Sequence, residues 1–459
     1  MELHTSRTNG PNPGAAGPKG HWFFGNLLDR RRRPLELYAD STRVYGKTVR
    51  FRMGPKTVWL LSNPVDVQLV LHDQAKKFVK GYGYDILEIF LGRGLLTSDG
   101  SFWHRQRRLI QPVFHRSNLV GFAQVMQDEA DALVLRLRGQ VEVDVTTTML
   151  KLTMEIVGKT LFGTNVSDHT SEVSPIISEL IEDANRRLLS VVPLPVSVPL
   201  PRNLRTRRLI ERLDGLMSKM IEERRNQKEN DPKDKGIDLL SLLIAATDDQ
   251  TNERMTDRQL RDEAMTIFVA GHETTANALA WTLILLAQHP EVQTRAREEV
   301  QKPNAAPGLF ERVLSYEYLG RVIDESMRMY PPAWVVSRQS TEPVALSQTV
   351  VHPDEIVAIS SWVLHRDPDF WKDPQTFDPE RFTADECAKR HKYSYIPFGA
   401  GPRQCIGTQF ARVELLTVLS TLLRNYRFEL SGGSQQKIEP HPLVTLRPRG
   451  RVPMKFIPI

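Results

Sequence analysis

Cysteine is nearly absent from the chain: Cys387 and Cys405 are the two among 459 residues. Two thiols without Cys-x-x-Cys spacing exclude a disulfide framework, a zinc ribbon and a thioredoxin-like redox pair, and a reducing compartment is expected. Long apolar runs are missing as well. The N-terminal stretch "MELHTSRTNGPNPGAAGPKGHW" has no hydrophobic segment of signal or anchor length, so no membrane anchor and a cytoplasmic location are expected. Charge of one sign is not in large excess, with 61 basic against 55 acidic residues and a net charge of +6. Nucleic acid is therefore not a required partner, and a basic face meeting an acidic protein is sufficient. No repeat recurs at a fixed period and no linker separates two cores, which argues for one large domain.

What is present is ordinary globular composition, 40% hydrophobic and 25% charged. Residues 1–20, rich in Pro, Gly and Asn, read as a mobile arm. Residues 49–61, "VRFRMGPKTVWLL", hold two β-rich runs around Gly-Pro and predict a hairpin. The run Arg30–Arg33 reads as a solvated turn before Pro34. The middle of the chain is helical in pattern, interrupted by "VVPLPVSVPLPRN" and by a charged loop at "NQKENDPKDKG". The fold class expected is mainly α with a minor β part.

One helix stands out. It starts near Thr256, where "TDRQ" fits a capping box, and stops before Pro290, about 50 Å at 1.5 Å per residue. At its centre "GHETT" interrupts two apolar stretches, and Gly271 alone costs about 1 kcal/mol against alanine. Ala270 and Thr274 lie four apart on one face, flanked by sequence that is apolar nearly all round, so a buried helix with a functional break is favoured over a solvated face. His272 is read as a structural hydrogen-bonder, since "GHETTA" lacks the spacing of a zinc protease.

Cys405 sits in "FGAGPRQCIG", just before an apolar-periodic helix. A helix N-terminus and the charge of Arg403 favour a thiolate, while Gly399 and Gly401 permit tight turns and Gly407 lets a flat object approach. Three readings compete. A buried structural thiol would need neither glycines nor arginine, and a nucleophile would need a histidine that is not nearby in sequence. An axial thiolate on haem iron gives every neighbour a task.

The same ten residues resemble the haem-binding signature of the cytochrome P450 superfamily, Phe-x-x-Gly-x-Arg-x-Cys-x-Gly, at every fixed position. "AGHETT" is similar to the oxygen-activating stretch of that family's long helix, "ESMR" to its Glu-x-x-Arg pair, "PERF" to the following loop and "WHRQR" to its Trp-x-x-x-Arg. The resemblance implies the P450 fold, a long helix over buried haem b, with residues 21–459 as a single haem-thiolate monooxygenase domain. It implies Cys405 as the iron ligand and Phe398, Gly399, Gly407, Ala270 and Gly271 around the haem. Trp103, Arg107, Arg338 and Arg403 would hold its propionates, Trp103 and Arg107 together meeting the same carboxylates. Arg105 and Arg108 read as a solvated basic face.

By the same resemblance Thr274 and Glu273 manage protons for oxygen activation, and Glu325, Arg328 and Arg381 form a buried ionic support for the cysteine loop. The partners implied are O2, a hydrophobic small molecule such as a fatty acid, terpenoid, steroid or macrolide, and a ferredoxin or flavodoxin with its NAD(P)H reductase, docking near Arg403 and Arg412. A monomer is expected. The segments similar to the family's substrate contacts, "YGYDILEIFL", "LLSVVPLPV", "AWVV" and "PLVT", are apolar or aromatic, and no charged residue stands out as an anchor. Two alternatives stay open: a lipid-peroxide isomerase or dehydratase of the same fold, against which the acid–threonine pair speaks, and a haem-dependent sensor.

Overall fold

The structure, a computed structural model, describes residues 16–163, 167–190, 194–230 and 238–459. Most of the expected arm lies outside these residues. Its described end is tied down, since Arg50 N–H donates to Ala16 O at 3.4 Å and Asn26 Nδ2 to Pro18 O at 3.1 Å.

The hairpin forms as expected. Thr48–Met53 pairs antiparallel with Lys56–Leu61, and Gly54 at φ 62° makes the turn, a backbone region that glycine enters without penalty. Beyond the hairpin, Lys56–Leu61 runs parallel to Ile356–Ile359, which pairs in turn with Val336–Ser340, and Phe78–Val79 closes a five-stranded sheet. Leu60, Leu61, Val357 and Ile359 are fully buried in it. This sheet brings the N-terminal hairpin against a segment nearly 300 residues later, which local pattern cannot announce.

The central helix is Asp257–Gln288. Thr256 caps it with the reciprocal bonds of a capping box: Gln259 N–H donates to Thr256 Oγ1 at 3.3 Å and Thr256 N–H to Gln259 Oε1 at 3.0 Å. Pro290 begins the next helix after the cap residue His289. The expected break at "GHETT" is absent, and the helix is continuous through it. Two of the polar side chains find backbone partners within the helix, and a backbone carbonyl of the cluster accepts from a neighbouring helix. Thr274 Oγ1 donates to Ala270 O at 2.6 Å, His272 Nδ1 meets Phe268 O at 2.8 Å, and Thr153 Oγ1 donates to His272 O at 2.9 Å.

Gly271 also serves packing between helices. A Cβ there would stand 3.2 Å from Val157 Cγ2, so the missing side chain lets the helix Val145–Phe162 pack closely. Three further expectations change. Arg30–Arg32 belong to a short helix, Leu27–Arg32, rather than a turn. The charged loop begins later than expected, because Asn226–Asn230 continue the helix Pro201–Asn230, and its remainder lies outside the described residues. Arg105 and Arg108 are not simply solvated: Arg108 Nη2 meets Asp248 Oδ2 at 2.9 Å, and Arg105 Nη2 donates to Arg254 O at 3.0 Å.

Candidate active site

Cys405 lies in the loop between the short turn Gly401–Arg403 and the helix Thr408–Asn425, whose N-cap is Gly407. Its loop is built by short-range bonds: Cys405 N–H donates to Phe398 O at 2.9 Å, Gly399 N–H to Ile396 O at 3.0 Å and Gln404 N–H to Gly401 O at 3.0 Å. Gly401, at φ 70°, touches Leu71, where a Cβ would fall 1.8 Å from the carbonyl oxygen, so no other residue fits.

The thiol lies deep, and burial raises its pKa above the ordinary value. The Gly407 N–H, the Arg107 charge and the Thr408 hydroxyl oppose that rise. The cation that acts on the sulfur is therefore Arg107, where the sequence pointed to Arg403. Arg107 Nη1 donates to Gln404 O at 2.9 Å, which places it against the cysteine loop, one helical turn from Trp103. Trp103 is buried with the Arg403 guanidinium 4.4 Å over its ring.

Arg403 Nη1 donates to Ser98 O at 3.0 Å, and Nη2 pairs with Asp99. Arg338, also buried, donates to Ser337 O at 2.8 Å. Lys80 completes this group and was not legible in sequence. It is buried, its Nζ donates to Leu95 O at 3.2 Å and to Leu96 O, and burial, with Arg338 and Arg403 nearby, holds its pKa well below the usual value. Asp99 and Glu263 are the acids that act against that shift. Glu263 accepts from Gln106 Nε2 and Leu95 N, both at 2.9 Å, and burial pushes its pKa up to about 7.

On the other side of the site, Ala270 is exposed in the middle of a helix whose neighbours Val269, His272 and Glu273 are buried. Ala270, Glu273 and Thr274 line a cavity of about 580 Å³. Glu273 is held by Thr445, whose Oγ1 donates to Glu273 Oε1 at 2.7 Å, and Asn277 Nδ2 donates to Thr445 Oγ1 at 3.2 Å. All four segments expected to contact substrate contribute lining residues, among them Phe90, Leu188, Val335 and Leu443.

The family model described as Cytochrome P450 matches residues 15–454. The chain is a cytochrome P450. It is 34% identical to cyclooctatin synthase of Streptomyces melanosporofaciens over 444 residues, covering 96% of this chain and 94% of that one. It is 30% identical to pentalenene oxygenase of Streptomyces avermitilis over 432 residues, covering 93% and 92%. In fold it is similar to retinoic acid-bound cyanobacterial CYP120A1, with a TM-score of 0.86, 24% identity and coverage of 98% and 100%.

The P450 uses haem b, and the residues present fit that group. The Cys405 surface is open although the residue lies deep, Gly399 at φ 68° has nothing within 4 Å of where a Cβ would project, and Ala270 presents bare surface. A Cβ on Gly407 would lie 3.9 Å from Cys405 Sγ. Lys80, Arg338 and Arg403 supply more buried positive charge than Asp99 and Glu263 offset, an arrangement suited to two propionates.

Below the site, Glu325 and Arg328 form the expected ion pair at 2.6 Å with both side chains fully buried. Arg381 Nε stands 3.4 Å from Glu325 Oε1, and Asp378 N–H donates to the same oxygen at 2.9 Å. Arg328 Nη1 donates to His365 O at 2.9 Å and to Pro374 O at 2.8 Å. His365, a residue no motif marked, accepts Ile396 N–H at Nε2 at 2.9 Å. The ionic support thus reaches the cysteine loop through one imidazole.

Among the described residues no helix is long and apolar enough to cross a membrane. Arg412, expected on a docking face, turns to Asp324 at 3.1 Å, and Arg403 points inward, so neither is a free surface cation.

Proposed function

We propose that this P450 monooxygenase hydroxylates or epoxidises an apolar substrate of terpenoid type, with electrons from a ferredoxin or flavodoxin and its NAD(P)H reductase. The observation that carries this reading is the cavity of about 580 Å³, apolar along Leu87, Phe90, Leu91 and Val269, with Ala270 and Thr274 among its lining residues. The terpenoid class rests on the relatives' names, which include cyclooctatin synthase, cyclooctat-9-en-7-ol 5-monooxygenase and pentalenene oxygenase.

Cys405 would hold the haem iron through its thiolate, and the bound group would supply the reductive activation of O2. Lys80, Arg338, Arg403 and Trp103 would bind the propionates. Arg107 steadies the Gln404 carbonyl and offsets the charge that Cys405 carries as thiolate. Thr274 Oγ1, already donating to Ala270 O, presents its lone pairs to the cavity and can order a water there. Glu273, fixed by Thr445, passes protons toward that water, a carboxylate and an alcohol acting in series. The apolar wall keeps bulk water from the substrate.

Reconstitution with a reductase pair, NAD(P)H and a terpenoid panel under ¹⁸O2 tests the reading. One labelled oxygen atom in a terpenoid product is expected. Product formed from lipid hydroperoxides without NAD(P)H, or haem binding with no turnover of any panel member, would replace it.

A further inference from the structure

A second pocket, of about 420 Å³, opens where three helices finish: Pro290–Gln301, Leu309–Leu314 and Thr408–Asn425. It shares no residue with the substrate cavity. Arg424 stands in the last turn of the 18-residue helix that starts just after Cys405, so the pocket lies about 25 Å along that helix from the thiol. Three cations line it, Lys302, Arg312 and Arg424, together with the buried Tyr316 and no carboxylate.

Helix ends explain part of this charge, because a cation suits the negative end of a helix dipole. Arg424 is used in that way: its Nε donates to Val300 O at 3.0 Å and its Nη2 to the Tyr316 hydroxyl. Arg312 is not. Its guanidinium makes no hydrogen bond or ion pair among the described residues, and its Nε is buried without an acceptor. Lys302 has no ion pair among the described residues either, and the Tyr316 hydroxyl, which accepts from Arg424, donates its own proton to none of them. Two acids close in sequence are spent elsewhere: Glu299 accepts from Tyr318 and Leu319 N–H at 2.7 and 2.9 Å, and Glu311 pairs with Arg116 at 2.7 Å. The pocket thus carries donors and positive charge in excess of what the protein itself uses, and a buried donor or a like-charge cluster is costly without a counterpart.

The pocket is also preformed. Asn304 Nδ2 donates to Ser315 Oγ at 2.6 Å and its Oδ1 accepts Ala306 N–H at 2.8 Å, so the two elements that carry Lys302 and Arg312 are held together. We propose that this pocket binds a soluble phosphorylated small molecule through its phosphate or diphosphate group, with Arg312, Lys302 and the Tyr316 hydroxyl as donors. A planar guanidinium matches two phosphate oxygens at once, an ammonium adds a point charge and a phenol adds a neutral donor. A lipid headgroup would need apolar anchors beside it, and Leu314 is the one large hydrophobic residue exposed within 300–316. The site stands apart from the monooxygenase reading and does not depend on it.

Isothermal titration of the haem-loaded protein with inorganic diphosphate and with inorganic phosphate tests the site, and flotation with phosphatidylcholine vesicles containing phosphatidic acid tests the lipid alternative. One diphosphate per chain is expected, bound more weakly in 0.5 M salt. Arg312→Gln should weaken it about tenfold, as for one charge-assisted hydrogen bond lost, and Lys302→Gln about threefold, as for an exposed charge. Both variants should keep the red-shifted band of the reduced carbon monoxide complex, which reports the fold. Lys302 is exposed, so its substitution carries the test if Arg312→Gln does not fold. No saturable binding of either anion, an affinity that the folded variants leave unchanged, or binding confined to the vesicles would overturn the proposal.

Discussion

Ile396 donates its backbone N–H to Nε2 of His365 at 2.9 Å, two residues before the loop that carries Cys405. His365 is fully buried, and its carbonyl in turn receives Arg328 of the Glu325–Arg328 pair. A neutral imidazole is required, because Nε2 must accept. Burial first, then the charges of Arg328 and Arg366, lower the His365 pKa to about 3.

The pH dependence of stability follows from His365 and Glu263 together. The unfolded His365 binds a proton below its ordinary value near 6.5 and the folded one below about 3, so between those values stability falls as pH falls. Glu263 has the opposite sign: its folded pKa of about 7 exceeds the ordinary 4.5, so between these values stability falls as pH rises. Each slope is at most about 1.4 kcal/mol per pH unit, and across the overlap they cancel. Urea unfolding from pH 4.5 to 6.5 should therefore show Glu263→Gln losing stability with acid relative to the parent, and His365→Asn gaining it. Parallel curves for both variants would remove the assignment.

A second expectation concerns the thiolate. Cys405→Ala should abolish the red-shifted absorption band of the reduced carbon monoxide complex, and Cys387→Ala should keep it, since Cys387 is exposed and its sulfur meets Arg390 at 3.3 Å. The raised pKa of Cys405 without a metal adds a kinetic corollary. Haem uptake by the apoprotein should quicken with pH, because the ligand must lose its proton to bind.

Lys80→Met tests the buried cation group. The two side chains are similar in length, so packing changes little, but one of three cations proposed for the propionates is lost. Haem transfer to apomyoglobin should run about tenfold faster, as expected for losing one charge-assisted bond. An unchanged rate would assign Lys80 to capping the Leu95 and Leu96 carbonyls alone.

The elements that sequence announced are those whose signals are contiguous. The Cys405 loop, the capping box at Thr256 and the Glu325–Arg328 spacing each occupy a few residues, and local geometry alone brings their atoms together. Lys80 and His365, and the hold of Thr445 on Glu273, were missed because each acts on a partner that is distant in sequence, and a lone Lys, His or Thr carries no signal for it. The packing of Val157 against Gly271 was missed for a related reason. A glycine in a helix announces that something comes close, but the 3.6-residue period does not say whether that is a cofactor or the neighbouring Val157. The break expected at "GHETT" presumed that polar groups must distort a buried helix, whereas Ala270 O, Phe268 O and Thr153 satisfy them inside it.

Thr274 offers the sharpest separation of chemistry from assembly. Its hydroxyl spends its proton on Ala270 O at 2.6 Å, which leaves the oxygen as an acceptor toward the cavity, fit to hold a water that donates onward. Thr274→Ala removes that acceptor without touching Cys405, the buried cations or the Glu325 support, so the haem spectrum and substrate affinity should stay near those of the parent. Losing an ordered proton donor of about 1.5–3 kcal/mol should slow productive O–O cleavage ten- to a hundredfold, roughly, relative to peroxide release. Counting peroxide, product and NAD(P)H in one assay reads this directly, with electrons diverted to hydrogen peroxide in the alanine variant. Thr274→Ser, which keeps the oxygen, should stay coupled, whereas Thr274→Val, which keeps only the bulk, should behave like alanine. If Thr274→Val remains coupled, the side chain acts by filling space, and the proton route runs through Glu273 and water without it.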